Sequence, residues 1–65
     1  MNVALLTYEM KKAGVTITEM CEKLEMSRSA FFRKCNGTSE FKQSEIQKII
    51  KILNLKSPVD IFFAE

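Results

Sequence analysis

Signals that begin and end helices follow one another closely between residues 14 and 37, and they limit this segment to short helices. Gly14 and the pair Asn36-Gly37 are typical of helix ends, because glycine adopts the left-handed backbone conformation at little steric cost. Thr16, with a glutamate three residues later, fits a capping box that opens a helix. Ser27 is a favourable N-cap for a further helix. We therefore predict two helices of about two turns each, joined by a tight turn.

Apolar side chains in both predicted helices recur at intervals of three and four residues, which is the period of one helix face. The apolar positions of the second helix are Ile17, Met20, Cys21 and Leu24. In the third helix, Phe31 and Cys35 share a face with Ala30 beside them, and we expect this face to point inward. The opposite face then carries Arg28, Ser29, Phe32 and Arg33.

A first helix is predicted before this pair, and a polar connection after it. The helix runs from about Asn2 to Ala13, with Leu6 on its inner face. Tyr8 lies on a flank of this helix and is expected to be half-buried. The connection covers Thr38 to Gln43, and Phe41 is its one expected anchor to the core.

Two more helices complete the chain. Ser44 is a plausible N-cap for the fourth helix, which Asn54 can end in the left-handed conformation. The apolar stripe of this helix consists of Ile46, Ile49, Ile50 and Leu53. Ser57 followed by Pro58 is typical of the start of a fifth, short helix. The expected fold class is therefore all-α, a compact five-helix arrangement in a single domain that spans residues 1–65.

The composition excludes several classes of function. The chain has 65 residues, of which 46% are hydrophobic and 28% charged, as in an ordinary folded domain. It contains no histidine, and Cys21 and Cys35 alone do not form a zinc site. Without histidine the commonest general base is also missing. We therefore expect no enzyme, no metal and no cofactor.

The cysteines also indicate a compartment. Both lie in apolar helical patterns and are expected to be reduced core thiols, which favours a cytoplasmic protein. The apolar run from Val3 to Leu6 is interrupted at once by polar and charged residues, so neither a signal peptide nor a membrane span is expected. The net charge is only +2, so the distribution of charge has to indicate the partner.

The outward face of the third helix suits a DNA groove. Arginine can bond both acceptors on a guanine edge, serine can bond a base or a phosphate, and an aromatic ring can pack on a thymine methyl. Arg28, Ser29, Phe32 and Arg33 supply these groups. A face of arginine and serine is also typical of a solvated surface, and Phe32 could belong to the core. From the residues alone, both interpretations stay open.

From Gly14 to Gly37 the chain resembles, without a gap, the lambda-repressor-like (XRE-type) helix-turn-helix domains of phage and bacterial regulators. The matching residues are Gly14, Val15, Thr16, Met20, Leu24, Met26, Ser27, Ser29, Phe31, Arg33, Asn36 and Gly37. The similarity continues through the fourth helix to the closing Ile-Phe-Phe. It implies a compact five-helix domain whose helix-turn-helix is formed by the second and third helices.

The resemblance also implies a function. The third helix would lie in the major groove of double-stranded DNA, and a homodimer would bind a two-fold symmetric operator. The residues that match base-contacting positions are Arg28, Ser29, Phe32 and Arg33. Those expected at phosphates are Thr16, Ser27, Asn36 and Lys42. The chain would act as a Cro-like repressor or small activator at the nucleoid of a bacterial host, with no membrane and no small-molecule ligand.

Three positions differ from the family pattern. Ile17 replaces a common glutamine and is expected to pack in the core. Glu25 replaces the turn glycine, and a positive φ at this residue costs roughly a kcal/mol. Lys34 replaces a core aliphatic residue, so we expect Cys35 to supply the inward contact of the third helix instead.

The C-terminal residues are strongly apolar. A helix of two turns cannot bury Val59, Ile61, Phe62 and Phe63 on one side, so one or two of them are expected to face a second copy. We assign the dimer contact to Ile61, Phe62 and Phe63. The alternative is an apolar plug that is buried wholly within its own domain.

Two other functions are compatible with the same fold. A protein–protein adaptor would present the third helix or the apolar C-terminus to another protein. The modest net charge and Glu25 favour this alternative, whereas Arg28 and Arg33 disfavour it. A DNA-binding accessory factor in phage recombination or excision would use the same surface as a regulator, and only the position of its DNA site would distinguish it.

Overall fold

The computed structural model describes residues 1–63, which form five α-helices and contain no strand. The helices are α1 (Val3–Ala13), α2 (Ile17–Leu24), α3 (Arg28–Cys35), α4 (Gln43–Leu53) and α5 (Pro58–Phe62). The predicted all-α class with five short helices is therefore confirmed. Within residues 1–63, no helix is both long and apolar enough to cross a membrane.

Capping residues set the ends of α1 and α2, and those at Gly14 and Thr16 are as predicted. Asn2 is the N-cap of α1, because its side-chain oxygen accepts the backbone N–H of Leu5 at 3.0 Å. Gly14 ends α1 in the left-handed conformation, with φ of 70°. Thr16 and Glu19 form the predicted capping box at the start of α2. Local hydrogen bonds at these residues thus determine where both helices begin.

The start of α4 differs from the prediction that Ser44 is its N-cap. The helix begins at Gln43, and Lys42 occupies the N-cap position. Glu45, three residues further on, accepts the backbone N–H of Lys42 at 2.8 Å. This carboxylate satisfies a free N–H of the helix start, so no hydroxyl at residue 44 is needed. Asn54 ends α4 with φ of 52°, as predicted.

The core lies where the helices cross: α2 packs against α3 and α4, and α1 packs against α4 and α5. Its buried residues are Leu6, Met10, Met20, Cys21, Leu24, Phe31, Ile49, Leu53 and Ile61. Ile17 is partly buried and packs against this cluster, as predicted. Tyr8 is 59% exposed, so the prediction that it is half-buried is wrong, because α1 presents that side to solvent.

The C-terminal helix divides its apolar residues between the core and the surface. Ile61 is 1% exposed, and its carbonyl accepts the backbone N–H of Asn2 at 2.7 Å. The Ile61 side chain belongs to the core cluster and is thus not available for the dimer contact predicted there. Phe62 is partly buried, while Val59 and Phe63 are 62% and 68% exposed.

Candidate nucleic-acid interface

A three-residue turn, Glu25 to Ser27, joins α2 to α3. Glu25 has φ of 57°, which confirms the positive φ predicted for this position. The backbone N–H of Met26 donates to the carbonyl of Cys21 at 3.1 Å and closes the end of α2. Ser27 Oγ accepts the backbone N–H of Ala30 at 3.1 Å and opens α3. The turn therefore holds the two helices in a helix-turn-helix arrangement.

The two faces of α3 are divided as the helical period predicted. Phe31 is 2% exposed and is the one fully buried residue of this helix. The residues on the outward side, all exposed, are Arg28, Ser29, Phe32 and Arg33. Phe32 is 45% exposed, so it belongs to the surface and not to the core. That these four residues contact bases stays a prediction.

The outward face of α3 is positively charged. Arg28 and Arg33 are both exposed, and neither forms an ion pair within residues 1–63. The sequence of α3 contains three basic residues and no acidic one. The guanidinium groups of both arginines are thus free to bind an anionic or hydrogen-bonding partner.

The third basic residue of α3, Lys34, points the other way. Its Nζ donates to both carboxylate oxygens of Glu45, at 2.7 and 2.8 Å, and lies 6.0 Å from the centre of the Phe41 ring. Burial alone would raise the pKa of the Glu45 carboxyl, but the hydrogen bonds and charge of Lys34, together with the Lys42 N–H, hold this pKa below its ordinary value. Sequence reasoning missed this ion pair.

A signal for the ion pair was present in the sequence. Lys34 follows Phe31 by three residues and so falls on the inward side of α3, where a lysine needs a partner. The expected inward contact at Cys35 is confirmed, since this residue is partly buried and packs against the core. Lys34 shares the inward side with it and does not turn out to solvent.

Two of the four predicted phosphate contacts already use their side chains within the protein. Thr16 Oγ1 donates to Glu19 Oε1 at 3.0 Å and accepts the Glu19 N–H at 3.1 Å. A phosphate at Thr16 would therefore have to displace the Glu19 carboxylate. Ser27 Oγ accepts a backbone N–H, which leaves the hydroxyl hydrogen for a phosphate.

The other two phosphate candidates keep their donors free. Asn36 Oδ1 accepts the backbone N–H of Thr38 at 3.0 Å and its hydroxyl at 2.7 Å. The Asn36 amide nitrogen is not used by these bonds and carries two donors. Lys42 is exposed, and only its backbone N–H is engaged, by Glu45. Asn36 and Lys42 are therefore better placed to bind phosphate than Thr16.

Aromatic rings connect α3 to the C-terminal helix. Phe31 packs edge to face against Phe32 and Phe41, with 6.0 Å between ring centres in both pairs. Phe41 packs in the same way against Phe62 at 6.1 Å. The predicted anchoring of the loop by Phe41 is confirmed. The rings tie the exposed Phe32 to the core and to α5 in a continuous series of contacts.

A groove of about 430 Å³ lies beside Phe32, between α1, the start of α2 and α3. Its lining is mainly apolar and consists of Val3, Leu6, Thr7, Met10, Lys11, Gly14, Val15, Thr16, Ile17, Phe31, Phe32 and Cys35. Lys11 is the one charged residue of this set. Phe32 therefore has an apolar neighbourhood on the surface, which suits contact with an apolar group of a partner.

Both cysteines are free thiols. Burial raises the pKa of Cys35 to about 11, and the nearby Cys21 contributes to this rise. Burial also raises the pKa of Cys21, against the opposing charge of Arg28. Both side chains are therefore protonated at neutral pH and act as small apolar groups.

Comparison with known proteins shows the family to which the helix-turn-helix belongs. The family model of the Cro/C1-type HTH DNA-binding domain matches residues 6–64. The match includes the whole of α2, the turn and α3, and it confirms the resemblance found between Gly14 and Gly37. Curated proteins and solved structures gave no match to the chain.

Proposed function

The chain belongs to the Cro/C1-type helix-turn-helix DNA-binding family, and we propose that it is a transcriptional regulator which recognises a specific site on double-stranded DNA. The observation that carries the proposal is the exposed, cationic face of α3, opposite the buried Phe31. In this family the third helix enters the major groove. The side chains that would read bases are Arg28, Ser29, Phe32 and Arg33.

The chemistry of this face fits the edges of base pairs. Arg28 and Arg33 have no ion-pair partner within residues 1–63, so each can bond the O6 and N7 acceptors of a guanine. Phe32 offers a half-exposed ring that can pack on a thymine methyl. Phosphate contacts would hold the helix in register, and Asn36, Ser27 and Lys42 have donors for them.

The size of the domain is compatible with a homodimer on a two-fold symmetric operator. The domain measures 26 × 25 × 20 Å, whereas half-sites recur every ~34 Å along one turn of DNA. One copy is therefore too short to span two half-sites, and a pair of copies would be needed to bind both. Val59 and Phe63 are exposed on or beside α5 and are the apolar groups available for the contact between copies, with the partly buried Phe62 at their edge. Such a dimer would regulate by occupying its operator, as a phage-type Cro-like repressor or activator in the bacterial cytoplasm.

The test is selection of bound sequences from a random pool of duplex DNA, followed by titration of the selected site at increasing salt. We expect a two-fold symmetric site with half-sites ~34 Å apart, and an affinity that falls steeply with salt because bound phosphates release counterions. A chain that binds no duplex even at low salt would not be a DNA-binding regulator.

A protein–protein adaptor is the second candidate, and the apolar groove beside Phe32 favours it. It predicts that the chain binds no DNA and that substitutions in the groove, such as Val3→Asp, abolish partner binding.

An accessory factor in phage recombination or excision predicts instead a selected site that lies at an attachment site and not at a promoter.

A further inference from the structure

The Glu45 carboxylate connects α3, the proposed base-reading helix, with the loop that carries Lys42. Glu45 Oε1 accepts Lys34 Nζ at 2.7 Å and the backbone N–H of Lys42 at 2.8 Å. Glu45 Oε2 accepts Lys34 Nζ at 2.8 Å. The same side chain thus bonds to the end of α3 and to the start of α4.

The ion pair is shielded from solvent. The side chains of Lys34 and Glu45 are 15% and 14% exposed, and the ring of Phe41 covers the ammonium group. Both side chains are only partly exposed, so separating them would leave each charge without its partner in a poorly solvated position. The Lys34 ammonium is therefore turned into the protein and away from the exposed arginines.

Phe31 is the one fully buried residue of α3, and the partly buried Cys35 also packs against the core. Lys34 lies about one turn beyond Phe31 and adds a polar fixed point, which ties the end of α3 to the start of α4. We propose that Lys34 and Glu45 are positioning residues, which fix the base-reading face relative to Lys42 and do not contact DNA themselves. This inference rests on the proposed function.

Two substitutions with opposite effects on net charge test the inference. Lys34→Met keeps the apolar stem over Phe41 but removes the ammonium group, and Glu45→Gln keeps the size and the acceptor for the Lys42 N–H. Lys48→Met is the control, because Lys48 is exposed on α4 and its loss changes the charge as Lys34→Met does. Each variant is titrated with the selected operator and with an unrelated duplex across a salt series.

Both variants are expected to lower the ratio of specific to non-specific affinity by about five- to a hundredfold, the worth of one misplaced base contact. The salt dependence should stay that of the native chain. Glu45→Gln removes an acid, so a purely electrostatic effect would strengthen its binding to both duplexes. Lys34→Arg keeps a charged donor for Glu45 and should restore most of the ratio.

Two results would overturn the inference. If Lys34→Met lowers both affinities together and reduces the salt slope by about 0.9, Lys34 binds a phosphate and the inference is wrong. The inference is also overturned if Lys34→Met and Glu45→Gln both keep the native chain's ratio of specific to non-specific affinity. Circular dichroism at each condition gives the folded fraction by which affinities are corrected. If the native chain itself binds no DNA, the proposed function fails, which is a separate result.

Discussion

Phe31 and Phe32 are neighbours in the chain, yet their side chains lie in different environments. Phe31 is 2% exposed and Phe32 is 45% exposed. We expect Phe31→Ala to cost about 3–5 kcal/mol, because it removes the main core anchor of α3. A domain of this size has ~3–10 kcal/mol of stability in total, so this substitution removes a large share of it.

Phe32→Ala is the matched control for this prediction. It should cost about 1 kcal/mol, mostly from the lost edge-to-face contact with Phe31, and weaken binding to the selected operator. Urea unfolding of both variants gives the free energies of unfolding. A Phe31→Ala variant that is as stable as the native chain and fails only in DNA binding would mean that α3 is rotated from the arrangement described above.

Arg28 and Arg33 are each expected to read one base pair of the operator. Arg28→Ala or Arg33→Ala should lose about 1–3 kcal/mol of binding free energy, mostly at one position of the operator. Lys48→Ala removes the same charge from an exposed site on α4 and serves as the control. Affinities for all single-base variants of the operator are the measurement. An equal loss on every sequence would assign the arginine to a phosphate.

The turn between α2 and α3 contains a residue with a strained backbone, Glu25. Glu25 has φ of 57°, a conformation that costs a residue with a Cβ roughly 1–2 kcal/mol. We expect Glu25→Gly to stabilise the domain by about 0.5–1 kcal/mol, since part of the gain is offset by the greater freedom of glycine in the unfolded chain.

Glu25→Gln separates strain from charge, because it keeps the Cβ and removes the negative charge. Its free energy of unfolding should stay close to that of the native chain, while both variants bind DNA more tightly through the loss of an acid beside the recognition helix. Thermal unfolding and operator titration provide the two readouts. Equal stabilisation by both substitutions would mean that charge, and not backbone strain, is the dominant cost at this turn.

The junction of α3 and α4 predicts a pH dependence. Glu45 has a pKa below its ordinary value of 4.5 in the folded chain, through its bonds to Lys34 and Lys42. A lowered folded-state pKa stabilises the fold above the unfolded-state pKa, and this contribution is lost as the pH falls through the folded-state value. The native chain should therefore lose stability below about pH 4.5 more steeply than Glu45→Gln. Urea titrations from pH 7 to pH 3 compare the two, and parallel curves would contradict the prediction.

For the molecule as a whole, the exposed apolar residues beside α5 predict self-association. Phe63 is 68% exposed, and a charge placed there should oppose contact between two copies. We expect Phe63→Glu to shift the mass in analytical ultracentrifugation towards the 7.5 kDa monomer. The affinity of this variant for a full operator should fall to the affinity for a single half-site. Its affinity for a single half-site should equal that of the native chain.

Tyr8→Glu is the control, because Tyr8 is an exposed aromatic residue on α1 with 59% exposure. It should leave both the mass and the operator affinity as they are. If Tyr8→Glu dissociates the dimer and Phe63→Glu does not, the copies meet through α1 instead of the C-terminal residues.

The sequence by itself determined the features that depend on groups a few residues apart. The capping box at Thr16, the left-handed ends at Gly14 and Asn54 and the turn at Glu25 follow from hydrogen bonds and steric preferences within about four residues. The inward and outward faces of α3 follow from the helical period, together with the single buried Phe31. For these reasons the fold class and the candidate reading face could be predicted before the structure was known.

The tertiary structure was needed wherever an outcome depends on which helices touch. Lys34 and Glu45 are 11 residues apart and pair only because α3 ends beside the start of α4. Ile61 is buried and Tyr8 exposed because α1 packs on α4 and α5 with one particular face. Burial is shared among distant segments, so helical periodicity alone could not assign it.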